Sequence, residues 1–218
     1  ISGMDLFFLM IRRPTISTLS SSSAASDVYK RQQMYRGDIH FEHITSYHDA
    51  PKYLQALVQR VQQSLQQWPE AEREDVHVVF SAHSLPQRIL KAGDPYDQQL
   101  RETARLVAAA AGLPGDNWSW SYQSAGRTSE PWLGPQLEEH IPTLAQEGVR
   151  NIISVPIGFV SDHVEILYDI DIQAQNVARE HGIRLERPPA LNTDPLFIEQ
   201  LADLVRAKAA SAGWIDAG

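Results

Sequence analysis

A histidine set just past a short apolar run, in Phe80-Ser81-Ala82-His83-Ser84-Leu85-Pro86, could handle a proton or a metal. So could a row one helical turn apart further on, Glu165, Asp169 and Gln173. An imidazole titrates near neutral pH and ligates metals, and the small neighbours and proline around His83 would present a ring nitrogen to a ligand. Carboxylates at i and i+4 share a helix face and repel each other unless a cation or protons sit between them. Between these two regions lies Tyr122-Gln123-Ser124-Ala125-Gly126-Arg127-Thr128-Ser129-Glu130-Pro131-Trp132-Leu133-Gly134-Pro135, a polar loop whose large aromatics suit a flat apolar ligand. Spacing alone leaves a plainer reading of each feature open. His83 could bond to backbone in a loop, the carboxylates could form a solvated face, Trp132 could staple its loop to the next helix, and Asp162 could be an N-cap.

The elements that must position these groups follow from a period that switches between 2 and 3.6. Strands are expected at 38–47, 76–81, 118–123, 151–157 and 183–187. Helices are expected from Pro51, with Asp49 as cap; from Asp94–Pro95 to a stop at Gly112; over 134–146; over 163–181, ended by Gly182; and over 194–210, capped by Asp194 with Pro195 at N1. Short apolar strands alternating with helices predict an α/β fold, a parallel sheet covered on both faces. Ligands of such sheets sit beyond the carboxyl ends of the strands, where the three loops lie.

The 218 residues contain no cysteine, which excludes a disulfide scaffold, a thiol nucleophile and a cysteine-bound iron–sulfur cluster. Residues 1–32 read as a separate segment: an apolar run too short for a membrane span, then the serine-rich string STLSSSSAASDVYKRQ, which resembles the translation of a sequencing adapter. The sequence is therefore divided into a non-native or disordered tail, 1–32, and a domain, 33–218. Arg12, Arg13, Lys30 and Arg31 against Asp5 and Asp27 give the tail a net +2, so the total of −8 becomes −10 for the domain. That charge disfavours nucleic acid and attracts cations. Phosphate-binding, zinc-protease, nucleophile-elbow and dinucleotide motifs are absent.

Taken together, FSAHSLP, GDPY (93–96), YQSAGRTSEPWLGP and VPIGFVSDHVEILYDID, in this order and spacing, resemble the ferrochelatase family, from about Ser46-Tyr47-His48-Asp49 to the last helix. The 122–135 loop is more similar to the Gram-positive, coproporphyrin-type branch. The resemblance implies a Rossmann-like C-terminal domain whose N-terminal sister is largely missing, and insertion of Fe²⁺ into coproporphyrin III or protoporphyrin IX in haem biosynthesis. It places the family's catalytic pair on His83 and Glu165, metal contacts on His83, Glu165 and Asp169, and substrate contacts on Tyr122, Ser124 and Trp132. Tyr122 stands where relatives usually carry tryptophan. Gln173 stands where they are commonly acidic, which weakens an outer metal site.

The implied chemistry suits these residue types. Metallation removes two pyrrole protons while a hydrated cation sheds water; a neutral imidazole and a facing carboxylate can share that work, and a site with few ligands lets the metal leave. The expected partners are porphyrin and ferrous iron as substrates, without a permanently bound cofactor. The expected protein is cytoplasmic and monomeric, with at most peripheral membrane contact. Two alternatives are a cobalt-type chelatase and a non-catalytic porphyrin- or haem-binding module. Two further expectations follow from the reading as a C-terminal part: weak or absent metal insertion by this chain, and an exposed apolar face (Phe197, Leu201, Leu204, Val205) on the last helix.

Overall fold

The structure, a computed structural model, describes residues 8–11, 41–126 and 128–215. Strands β1 (Phe8–Ile11) and β2 (Phe41–Ile44) pair in parallel, Phe8 opposite Phe41 through Ile11 opposite Ile44. Thus β1 falls within the segment that the sequence sets apart, while residues 38–40 of the first expected strand lie outside the described residues. Then come α1 (Pro51–Gln66), a 3₁₀ turn (Glu70–Asp75), β3 (Val76–His83), α2 (Arg88–Lys91), α3 (Tyr96–Ala111), β4 (Trp118–Gln123) and α4 (Leu137–Gln146). The chain continues through β5 (Asn151–Val155), α5 (Val164–Tyr168), a π-helical turn (Asp169–Ala174), α6 (Gln175–Glu180), β6 (Arg184–Glu186) and α7 (Pro195–Ser211). Strands β3 to β6 form one parallel sheet in the order β4-β3-β5-β6.

Period-2 alternation sorts this sheet into two unlike faces. Val78, Phe80, Ala82, Trp120, Tyr122, Ile153 and Val155 point to one face, where Tyr53, Leu57 and Val61 of α1, Leu100, Ala104 and Val107 of α3, and Phe197 of α7 close the main core. Val79 and Ile152 point to the other, packing under Leu137, Ile141 and Leu144 of α4 and under Ile166, Ile170, Ala174 and Ala178. On that second face His77, Ser81, His83, Ser119, Ser121, Gln123 and Ser154 replace the aliphatic residues a buried strand usually carries.

Two expectations about helices are corrected. Residues 163–181 do not form one α-helix, because the ladder widens into the π turn between α5 and α6. Nor is the apolar face of the last helix left exposed: Phe197 is buried, and Leu196, Leu201 and Leu204 pack on the main core against α1. Lys52 of α1 ties down that contact, reaching Glu199 at 2.6 Å and Asp203 at 2.5 Å. Helix ends follow the sequence more closely. Asp194 caps α7 through Leu196 N at 3.0 Å, and Gly112 closes α3 at φ +74°. Asp49 does not cap α1; Ala50 occupies that position, with Pro51 at N1.

Candidate functional site at the carboxyl ends of β3, β4 and β5

His83 is the last residue of the central strand and is half-buried. The GDPY segment explains its fixed backbone: Asp94 Oδ1 accepts from Tyr96 N at 3.0 Å, turning the chain so that the buried Tyr96 hydroxyl donates to His83 O at 2.8 Å. Burial pushes the Tyr96 phenol well up, so the donor stays protonated at any ordinary pH. The His83 ring stacks on Phe159, with centroids 6.2 Å apart and planes at 21°, and Phe159 in turn packs on His163 at 5.1 Å. His163 precedes α5, so Phe159 links the strand-end histidine to the start of the helix that bears Glu165. His83 Nδ1 is buried and has no hydrogen-bond partner among the described residues.

The loop after β5 comes this close only because residue 158 is glycine. Gly158 N donates to Ser81 O at 3.3 Å, and a Cβ there would lie 2.7 Å from Ala82 Cβ. The loops after β3 and β4 are zipped together. Ser84 N donates to Gln123 O at 2.7 Å, Ser84 Oγ to Leu133 O at 2.7 Å, Leu133 N to Leu85 O at 2.8 Å and Gln87 N to Pro131 O at 2.9 Å. Inside the second loop the half-buried Trp132 ring lies where a Cβ on Gly126 would overlap it, and Trp132 Nε1 donates to Thr128 Oγ1 at 2.8 Å. Trp132 thus folds its own loop, through Gly126 and Thr128.

The helix row begins with Glu165, exposed on the first turn of α5. Asp169 opens the π turn, and its Oδ2 accepts the hydroxyl proton of Ser124, the residue just past β4, held at φ +61°. Glu138 of α4 approaches Asp169 as well. Burial first, then the charge of Asp169, raises its carboxyl above the usual carboxylate range. Ser124 and Asp169 are thus brought together, and His83 is joined through Phe159 to the base of the Glu165 helix. Among the described residues no three His, Cys, Asp or Glu side chains are clustered closely enough to hold a metal ion, so His83, Glu165 and Asp169 do not form a closed ligand set.

Tyr122 is placed differently from the expectation. Its side chain has no exposed surface and belongs to the opposite, apolar face, with its hydroxyl on Asp97 and Trp120 edge-on at 5.4 Å. Even numbering in β4 sends Tyr122 away from the face of Gln123 and His83, so it offers no ring to a ligand beyond the sheet. Asp162 is likewise not an N-cap. It is held by Asn192 and Arg187, which outweigh the cost of its burial and keep its carboxyl below the usual range.

Sequence reasoning missed Gln123, whose Oε1 accepts from Ser81 Oγ at 2.9 Å beneath His83. It also missed a pair of imidazoles deeper on the same face. Ser119 Oγ lies 2.8 Å from His77 Nε2 and 2.7 Å from His140 Nε2; its single proton can go to only one of them, so the other ring must donate. Burial, then the neighbouring His140, lowers His77 to about 4. The signal was present as period-2 polar positions, His77, Ser81 and His83 beside Ser119, Ser121 and Gln123.

A family model described as Ferrochelatase matches residues 2–209. The ferrochelatase of Deinococcus radiodurans is 55% identical over 208 residues, covering 95% of this chain and 66% of its own length. The ferrochelatase of Herpetosiphon aurantiacus is 41% identical over 88% of the chain and 62% of its own length. A protein of Geobacillus sp. named coproporphyrin III ferrochelatase is 41% identical over 90% and 63%. The chain therefore spans just under two thirds of the length of these relatives. Among the described residues no helix is long and apolar enough to cross a membrane.

Proposed function

The chain belongs to the ferrochelatase family, and from that premise we propose that its site inserts ferrous iron into a porphyrin, with coproporphyrin III favoured by the relatives that carry that name. The observation that supports the reading is a half-buried strand-end imidazole, His83, linked through Phe159 and His163 to the start of the helix that bears Glu165 and Asp169. His83 takes a pyrrole proton; a ring stacked on Phe159 and anchored by its backbone to Tyr96 keeps one orientation for that transfer. Glu165 faces solvent and is placed to accept the second proton or to stabilise the entering cation. Asp169, braced by Ser124, gives the cation a carboxylate one turn further along. Trp132, half-buried in the second loop, offers the porphyrin an aromatic ring. Iron and porphyrin are substrates in this scheme, and no resident cofactor is required.

The test is anaerobic incubation of the 218-residue protein with Fe²⁺ and coproporphyrin III or protoporphyrin IX, following the loss of free-porphyrin fluorescence. Because the chain spans just under two thirds of the length of its relatives, only slow insertion is expected, just above the protein-free rate, with coproporphyrin III the better substrate and His83→Ala at background. Porphyrin binding without His83-dependent insertion would favour the non-catalytic binding module instead.

A further inference from the structure

The segment that carries Glu165 and Asp169 is gripped from behind by a residue outside the site described above. Arg187 follows β6, and its side chain is one-tenth exposed. Its Nε and Nη2 meet the two oxygens of Asp171 at 2.7 and 2.8 Å, while Nη1 donates to Asp162 Oδ1 at 2.7 Å and to Pro188 O at 3.1 Å. Asp162 lies just before α5 and Asp171 within the π turn, so one guanidinium clasps both ends of the stretch whose middle holds Glu165 and Asp169. Asn192 secures the near end: its Nδ2 donates to Asp162 Oδ2 at 2.8 Å, its Oδ1 accepts from Asp162 N at 2.9 Å, and its N donates to Val160 O at 2.8 Å. Asn192 sits at φ +50°, a left-handed conformation that asparagine tolerates better than most residues.

The clasp also sorts charge. Four carboxylates, Asp162, Glu165, Asp169 and Asp171, fall within ten residues, 162–171. Arg187 pairs with the first and the last, and helical geometry puts Asp171 on the side away from Asp169. The charge left for a cation is then the row itself. A bidentate Arg–carboxylate pair fixes direction as well as charge, and here it fixes the turn in which regular α-helical bonding is interrupted.

We infer that Arg187 is a positioning residue for cation handling: by clasping Asp162 and Asp171 it sets the placement and charge of the Glu165–Asp169 row against Ser124. The inference rests on the function proposed above and adds to it a residue that touches neither substrate. Hydrogen–deuterium exchange on the 218-residue protein reads the clasp, and titration with Co²⁺, followed through its visible absorption, reads the consequence. Arg187→Gln is expected to speed exchange across 164–174 by about tenfold while leaving the strands of the sheet unchanged. Asp171→Asn should reproduce that effect without adding to it in the double variant. Arg187→Lys, which keeps the charge and loses the fork, should fall between. Losing the partners that orient a metal-binding group costs about 10–100-fold in affinity, but the carboxylates freed by Arg187→Gln alone attract cations, so the charge-neutral double variant Arg187→Gln/Asp171→Asn is the one that should weaken Co²⁺ binding at least at the lower end of that range. Arg105→Gln, which breaks an exposed helix pair with Glu102, should not. Unchanged exchange in 164–174, or equally faster exchange in every element, overturns the inference; so does faster local exchange with unaltered Co²⁺ affinity in that double variant, which would make Arg187 a brace only. If Co²⁺ binding to the unaltered protein is absent or indifferent to Asp169→Asn, the cation role of the row fails, and the inference with it, whatever the exchange shows.

Discussion

On one face of the sheet Phe80 and Trp118 meet edge-on at 5.8 Å, and Val78, Ala82, Trp120 and Tyr122 complete an apolar layer under α1 and α3. On the other, the same strands carry Ser81, His83, Ser121, Gln123 and Ser154 beneath α4 and the broken helix. The first face gains stability from area removed from water, about 1.5–3 kcal/mol for a large side chain. The second gives up part of that gain, and Ser121 Oγ, Ser154 Oγ and Gln123 Nε2 have no hydrogen-bond partner among the described residues. His83 ends β3 on the polar face and Ser124, just past β4, bonds Asp169, whereas Tyr122, on the apolar face, is locked in the core. One face holds the domain together and the other spends stability on placing polar groups.

The largest effect should come from the apolar face. Phe80→Ala is expected to cost about 3–5 kcal/mol in urea unfolding, because a fully buried ring leaves a cavity between α1 and α3. Gly158→Val tests the joint between the faces and the β5 loop. The added Cβ meets Ala82, whose backbone cannot move aside, and a loss of about 1–3 kcal/mol is expected together with a changed His83 environment by NMR. Tyr96→Phe removes one hydrogen bond to His83 O and should cost about 1 kcal/mol. Ser121→Ala should have the smallest effect, within about 0.5 kcal/mol of the parent or slightly stabilising, since a buried unpaired hydroxyl is removed. A Ser121→Ala loss as large as that of Phe80→Ala would erase the distinction between the faces.

Acid sharpens the same contrast. Burial pushes the His77 imidazole down to about 4 in the folded protein, against about 6.5 for a free imidazole in the unfolded chain, so between those values the unfolded chain binds more protons. Stability conferred by the polar face should therefore fall as pH drops from 6.5 to 4 and level off below. His77→Asn should flatten that slope, as read from denaturant midpoints across the range.

Much of the fold was legible because buried parallel strands such as 76–83 and 151–155 are short apolar runs bounded by turn residues, and because Pro51, Gly112 and Asp194 mark helix ends by local chemistry alone. The π turn was not legible. Its residues meet partners far along the chain: Asp169 is held by Ser124 and Asp171 by Arg187, 45 and 16 residues away in sequence. Tyr122 misled for a similar reason, since loop spacing says nothing about which face of β4 a residue takes until register is known. The candidate residues stand in the loops that end strands, and Gln123 in the period-2 polar positions of β4, while Tyr96, Ser84 and Arg187 act through contacts that no local pattern announces.

The most direct test of the account sets the two faces against each other in one assay. Fe²⁺ insertion into coproporphyrin III is measured for the 218-residue protein, for His83→Ala and for Tyr122→Phe. The account predicts slow insertion by the parent, insertion by Tyr122→Phe at a similar slow rate per folded molecule, and none above background by His83→Ala. Equal loss in both variants, or insertion that is indifferent to His83, would contradict it.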